Sequence, residues 1–160
     1  MRTVWFVFAP LLLVQAISVK LKETSDTLED ELGYKFNDST LLQDALTHSS
    51  YSRHNNGPLH LLGVSIIRAS VYKHYLAKNR DATKEELEAM SSSLSSTTAC
   101  ARRASGLGLD KLIRADVPVD RKSDKVLAVA FHVLFGAIAM DGSADQAMSV
   151  FWKIKSSAVI

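Results

Sequence analysis

The sequence predicts an all-α domain. Apolar residues recur every three or four positions through most of the 160-residue chain, which is the spacing of one face of a helix. Serine or threonine residues, which favour helix N-caps, precede several of these stretches. No segment makes a convincing strand, and there is no alternation of strands with helices. Because 160 residues are one domain's worth, we predict a single helical bundle.

Each predicted helix follows from this spacing and from its boundary residues. Leu28 and Leu32 predict a short first helix, and Ser39 begins the second. Pro58 suits the first turn of a long third helix, which reaches about Lys78 and is apolar on two faces, so we expect it to be largely buried. The remaining predicted helices cover about residues 84–105, 109–114, 125–140 and 144–154.

Capping residues and composition decide the later elements. Thr83 and Glu86 form the capping-box pattern at the start of the fourth helix, and Ser143 is expected to cap the last one. We predict that the fourth helix continues through the serine-rich residues 91–98, where a flexible linker is the alternative. Residues 125–140 are strongly apolar but short for a membrane span, so we predict the central buried helix there.

Residues 1–18 have the pattern of a cleaved secretory signal peptide. Arg2 supplies a positive start, residues 4–14 form an uncharged apolar run, and Ala16 and Ser18 are the small residues that a signal peptidase reads. The run is too short for an ordinary membrane span. We therefore expect a protein of the endoplasmic reticulum lumen or extracellular space, free of the membrane after cleavage. A signal anchor and a mitochondrial presequence are less favoured alternatives.

Cleavage would leave a mature domain over residues 19–160, with its core at about 25–155. That domain carries 18 basic and 17 acidic residues, because Arg2 is the one charged residue in the removed segment. Its net charge of +1 is weak support for nucleic-acid binding, which depends on clustered Lys and Arg. The single cysteine, Cys100, excludes an internal disulfide and predicts a buried thiol, with an intermolecular disulfide as the less favoured alternative.

Two helical segments carry the motifs on which a functional interpretation depends. Residues 56–67 read N-G-P-L-H-L-L-G-V-S-I-I, and residues 127–138 read L-A-V-A-F-H-V-L-F-G-A-I. They resemble the signatures N-E-R-L-E-F-L-G-D-S-V-L and L-A-D-A-F-E-A-L-I-G-A-I of the ribonuclease III family. Residues 32–36 with 45–50 are similar to the family's opening, and residues 107–112 to its L-G-L element. The resemblance covers nearly all of the mature chain and implies the fold of the family's endonuclease domain, without a double-stranded-RNA-binding domain.

The resemblance also implies that the family's metal site is replaced. The four metal-binding acids of the family fall on positions that we call the four ligand positions: His60, Val64, Val129 and His132. Mg²⁺ prefers hard oxygen ligands, whereas valine has no donor and imidazole suits softer metals. We therefore expect no catalytic residue and no cofactor in this chain. His60 and His132 remain weak candidates for a zinc or copper site. The favoured alternative is that they are two polar residues lining a cleft that no longer binds metal.

Other candidate sites are less specific. Asn37 begins an N-glycosylation sequon in a predicted turn. His48 and Ser49 belong to the family opening and are expected to cap or pack rather than to form a catalytic pair. Four basic residues are candidates for phosphate contacts, with a solvated helix face as the alternative: Arg102, Arg103, Lys111 and Arg114.

Two functions remain from the sequence. The first is a non-catalytic protein that binds a partner, or double-stranded RNA by its shape, and that forms a homodimer or heterodimer through the apolar surface around the first signature helix. The predicted signal, the single domain and residues 150–153 resemble small plant proteins named nuclear fusion defective, which implies a role in karyogamy. The alternative is an active, Mg²⁺-dependent double-stranded-RNA endoribonuclease in RNA processing, which the lost acids and the near-neutral charge oppose.

Overall fold

The computed structural model describes residues 26–52 and 56–157, with side chains up to residue 154. Within these ranges the chain is all-α, as predicted, and its one β-type pairing is an isolated bridge between Thr47 and Arg114. The predicted signal peptide and its cleavage point lie outside the described residues. The helices are α1 (residues 26–32), α2 (Ser39–Ala45), α3 (Gly57–Lys78), α4 (Lys84–Leu94), α5 (Thr97–Gly106), α6 (Leu109–Leu112), α7 (Asp124–Asp141) and α8 (Ala144–Ser157).

Helix α7 is the centre of the bundle, which confirms the prediction for residues 125–140. It packs against α2, α3, α5, α6 and α8, and residues 130–138 are buried without interruption. Phe131 and Phe135 contact each other at a ring-centroid distance of 4.9 Å, and Phe151 of α8 lies 5.7 Å from Phe135. Among the described helices, none combines the length and apolarity that a membrane crossing requires.

Local capping sets the helix starts that the sequence predicted. The Thr83 hydroxyl accepts a hydrogen bond from the Glu86 backbone N–H at 3.2 Å, and the Glu86 carboxylate accepts one from the Thr83 N–H at 2.8 Å. The Ser143 hydroxyl likewise accepts from the Gln146 N–H at 3.2 Å. These bonds satisfy N–H groups that the first turn of a helix leaves without partners, so the capping predictions are confirmed.

The prediction of one continuous helix through the serine-rich stretch is wrong, and so is the linker alternative. Helix α4 ends at Leu94, and Ser96 caps a separate helix α5 by accepting a hydrogen bond from the Ala99 N–H at 3.2 Å. The Ser95 hydroxyl donates to the Ser91 carbonyl at 2.7 Å. Serine side chains compete with the helix for backbone partners. The break frees α5 to pack its buried residues, Cys100 among them, against α7.

Candidate functional site

The two helices with the signature motifs cross in direct backbone contact. A Cβ atom built on Gly63 of α3 would lie 1.7 Å from the carbonyl oxygen of His132, and one built on Gly136 of α7 would lie 2.1 Å from that of Leu59. No side chain fits at such distances, so both positions require glycine. The crossing holds the four ligand positions on adjoining turns of the two helices.

Two histidines and a cysteine from three helices meet beside this crossing. The rings of His60 on α3 and His132 on α7 have centroids 5.4 Å apart and an interplanar angle of 67°. The His132 Nε2 lies 3.5 Å from the Sγ of Cys100 on α5. Cys100 is fully buried and His132 is 9% exposed, and the His132 Nδ1 has no hydrogen-bond partner. The cluster therefore carries nitrogen and sulfur donors, most of them inside the protein.

Burial keeps Cys100 and His132 uncharged at neutral pH. It lowers the pKa of His132 from 6.5 to about 4, and the nearby His60 adds to that effect. Burial raises the pKa of the Cys100 thiol from 9.0 to about 11, against an opposing effect of the Arg103 charge. Removing a charged group from water disfavours its ionised form, which is why the two pKa values move in opposite directions. His132 is thus a neutral imidazole and Cys100 a protonated thiol.

The two valines at the remaining ligand positions bring no donor to the crossing. Val64 is 36% exposed on the outer side of α3, and Val129 is half-buried beside Val133 and Ala137. Over the described parts of the chain, no group of three or more His, Cys, Asp or Glu side chains is placed to hold a metal ion. Because Mg²⁺ requires oxygen ligands, the residues present do not fit it.

Comparison with known proteins identifies the family to which this chain belongs. Residues 38–157 match the sequence model of a family described as ribonuclease-III-like. The chain belongs to the ribonuclease-III-like family. It is 40% identical over 129 residues to the protein NUCLEAR FUSION DEFECTIVE 2 of Arabidopsis thaliana, covering 79% of this chain and 68% of that one. It is 35% identical over 136 residues to Ribonuclease 3 of Phenylobacterium zucineum, covering 79% and 57%.

A solved structure agrees with the family assignment. The nuclease domain of ribonuclease III from Campylobacter jejuni matches with a TM-score of 0.79 and 25% identity, over 83% of this chain and 96% of that one. That domain has structural flexibility in a region involved in dimer formation. The fold predicted from the signatures is confirmed, while this chain spans just over half the length of its bacterial relative.

The four basic candidates of this ribonuclease-III-like chain do not share one surface role. Arg102, Lys111 and Arg114 are exposed, and the Arg114 guanidinium lies 4.8 Å from the ring centroid of Tyr51. Arg103 is turned inward: its guanidinium lies 5.3 Å from the Phe151 ring centroid and donates to the Leu94 carbonyl at 2.7 Å. Arg103 therefore stabilises the α4–α5 junction, and its expected phosphate contact has no support from its position.

The segment that resembles the family opening is held in place by hydrogen bonds of His48 and Ser50. The His48 Nδ1 accepts a hydrogen bond from the Ser50 N–H at 3.1 Å, and the Ser50 hydroxyl accepts one from the Asp116 N–H at 3.1 Å. The backbone of Arg114 pairs with this segment, donating to the Leu46 carbonyl at 2.7 Å. These contacts fix the loop after α2 against the segment that follows α6.

Asp141 is a structural residue whose contacts the sequence did not reveal. Its carboxylate accepts hydrogen bonds from the Tyr34 hydroxyl at 2.7 Å and from the backbone N–H groups of Asn37 and Asp38 at 2.9 and 2.8 Å. Burial alone would raise the pKa of Asp141, but these hydrogen bonds lower it overall. The Asn37 side chain is exposed, as predicted, and its amide nitrogen also donates to Asp141, at 3.3 Å. The sequon therefore begins in the bend before α2 and ends at Ser39, the first residue of that helix. Hydrogen bonds tie this bend to Asp141 at the end of α7.

Proposed function

We propose that this chain is a non-catalytic ribonuclease-III-like protein that acts by binding a protein partner. The observation that carries the proposal is the chemistry of the α3–α7 crossing. Where the family resemblance places four metal-binding acids, the chain has two imidazoles and two valines, and His132 is buried and neutral. Phosphodiester hydrolysis by bound Mg²⁺ needs anionic oxygen ligands to hold the ion. None of the four side chains supplies one.

The outer face of α3 supports a protein partner. Leu61 is 72% exposed and Val64 is 36% exposed, and residues three apart on a helix share a face. Exposed apolar side chains that lie together mark interaction sites more often than isolated ones do. The Campylobacter jejuni relative has a region involved in dimer formation. We infer that this face pairs with a second copy of the chain or with another protein of the same fold.

The biological setting is also part of the proposal. Similarity to the Arabidopsis thaliana protein NUCLEAR FUSION DEFECTIVE 2 supports a role in nuclear fusion. The signal pattern at residues 1–18 supports action inside the secretory pathway. Localisation of a chain tagged at its C-terminus tests this part. Residence in the cytosol or in mitochondria would contradict it without bearing on the chemistry of the crossing.

A nuclease assay tests the central claim. The mature chain is incubated with long double-stranded RNA, first with Mg²⁺ and then with Mn²⁺, beside Ribonuclease 3 of Phenylobacterium zucineum as the positive control. We expect no cleavage above the metal-free background. A variant with His60→Ala and His132→Ala separates intrinsic activity from a contaminant. Metal-dependent cleavage by the parent chain that this variant loses would establish the alternative, an active endoribonuclease.

Binding assays determine whether the proposed non-catalytic protein binds a second copy of itself or double-stranded RNA. Sedimentation velocity measures self-association of the purified chain, and gel-shift experiments measure its affinity for double-stranded RNA. The near-neutral charge of the mature chain predicts weak RNA binding with a shallow salt dependence. A steep salt dependence together with tight RNA binding would replace the protein-partner proposal with RNA binding by shape.

A further inference from the structure

The sequon at Asn37 lies on the surface of the fold, in the bend before α2. Asn37 is the one asparagine of the sequence with a serine or threonine two positions later and no proline between them. Residues 37–40 are all exposed. Ser39, the hydroxyl residue of the sequon, begins α2, and Asp38 caps that helix by accepting a hydrogen bond from the Thr40 N–H at 2.9 Å. The acceptor amide and the hydroxyl residue of the sequon are therefore both at the surface.

The folded chain holds this bend by bonds that do not depend on the Asn37 amide. The Asp141 carboxylate accepts hydrogen bonds from the backbone N–H groups of Asn37 and Asp38 at 2.9 and 2.8 Å, and from the Tyr34 hydroxyl at 2.7 Å. The bond from the Asn37 amide nitrogen to the same carboxylate is longer, at 3.3 Å, and exposed. An N-linked sugar replaces one of the two amide hydrogens and leaves the other as a donor. The folded structure can therefore carry the sugar and keep the bonds that fix the bend.

The order of synthesis leaves the sequon free before the bend is fixed. An enzyme that modifies the sequon must draw it away from the rest of the chain, which the bonds to Asp141 oppose. Asp141 lies 104 residues after Asn37, so at the usual speed of synthesis it follows about 5 to 20 s later. Helix α2 is only 7 residues long and packs against α7. A helix of that length is not stable without its partner, so the sequon has no stable folded partner during that interval.

We propose that Asn37 accepts one N-linked oligosaccharide when this chain enters the secretory pathway, an inference that rests on the secretory setting of the proposed function. The donor is a lipid-linked oligosaccharide diphosphate. The Asn37 Nδ2 bonds to the anomeric carbon of the first sugar, whose bond to the phosphate oxygen breaks. One amide proton is released, the lipid diphosphate leaves, and no atom is oxidised or reduced. The bulky, hydrated sugar then keeps the surface around the bend in solvent.

Expression of the full chain in plant cells, with its own residues 1–18 and a C-terminal tag, tests the proposal. We expect one slower-migrating form on a denaturing gel, which an endoglycosidase converts to the faster form. Mass spectrometry of the treated protein should find the one remaining sugar on the peptide with Asn37. Asn37→Gln and Ser39→Ala should each abolish the slower form, whereas Ser39→Thr preserves the sequon and should retain it. Asn79→Gln is the matched control, because Asn79 is exposed but begins no sequon, and should change nothing.

A second chain separates the glycan site from the predicted signal peptide. Its residues 1–18 are replaced by a secretory signal of the host, and protection from added protease verifies that the chain is in the lumen. A glycan on this chain but not on the native one would support Asn37 as the acceptor while refuting the secretory setting of the proposed function. A chain that is protected in the lumen but carries no glycan would overturn the inference. A glycan that persists in Asn37→Gln or in Ser39→Ala would overturn it as well.

Discussion

Acidification should destabilise the protein through one residue, His132. Burial places the pKa of this imidazole at about 4 in the folded chain, against 6.5 as its ordinary value. A group whose pKa is lowered by folding binds its proton more readily when the chain is unfolded. Its contribution to stability is therefore complete above pH 6.5 and is lost progressively as the pH falls from 6.5 towards 4.

The size of the effect follows from the same two values. At about 1.4 kcal/mol for each pKa unit, a fall from 6.5 to about 4 corresponds to roughly 3 kcal/mol in the free energy of unfolding. The free energy of unfolding of a typical domain is about 5 to 15 kcal/mol, so this single residue would account for a large part of it. His60 faces the ring from α3, and its charge adds to the lowering, so His60→Ala should raise the pKa of His132 slightly.

Urea unfolding followed by circular dichroism measures this contribution. The free energy of unfolding is determined at several values between pH 7.5 and pH 4 for the parent chain and for His132→Leu. The difference between the two should fall by about 3 kcal/mol over that range. Val133→Ala, a buried change on the same helix that does not titrate, should lower stability equally at every pH. A parent-minus-variant difference that stays constant would refute the account of a buried, neutral imidazole.

Three further predictions follow from the helix crossing and the exposed face of α3. Leu61→Glu should weaken self-association at least about 30-fold in sedimentation experiments, while Leu76→Glu, an exposed leucine on the same helix, should leave it unchanged; equal effects would contradict a specific face. Gly63→Ala should cost about 3 kcal/mol or more in urea unfolding, because the added Cβ meets the His132 carbonyl, whereas Gly106→Ala meets nothing within 4 Å and should be neutral or slightly stabilising. A variant with Glu, Asp, Asp and Glu at the four ligand positions should melt about 5 °C or more below the parent chain when no Mg²⁺ is present. Its melting temperature should rise when Mg²⁺ is added. A melting temperature that does not depend on Mg²⁺ would count against the matching of these four positions to the family's acids.

Local signals explain what could be predicted from the sequence. The capping residues Thr83 and Ser143 act within three residues of themselves, so their patterns are visible in the chain. The apolar run at residues 125–140 was enough to identify the central helix. Gly63 and Gly136 belong to the two signature motifs, and the structure places both at the backbone contact between α3 and α7.

The contacts that were missed join residues far apart in the sequence. Cys100 and His132 are separated by 32 residues and meet because α5 and α7 pack together. Asp141 receives the Tyr34 hydroxyl across 107 residues. The sequence also could not decide between Ser95 and Ser96 as helix-interior or cap residues, because that choice depends on how α5 packs. Arg103 turned inward for a related reason, since Phe151 from the last helix supplies the ring beneath it.

The replacements at the four ligand positions remove an electrostatic requirement from the crossing. Gly63 and Gly136 hold the two helices at backbone contact without help from any side chain. Four carboxylates gathered beside such a contact would repel one another, and a bound cation would be needed to offset that repulsion. A buried neutral imidazole at His132 and two valines place no like charges there. With the proposed non-catalytic function, the crossing therefore persists without Mg²⁺, and the fold serves binding rather than hydrolysis.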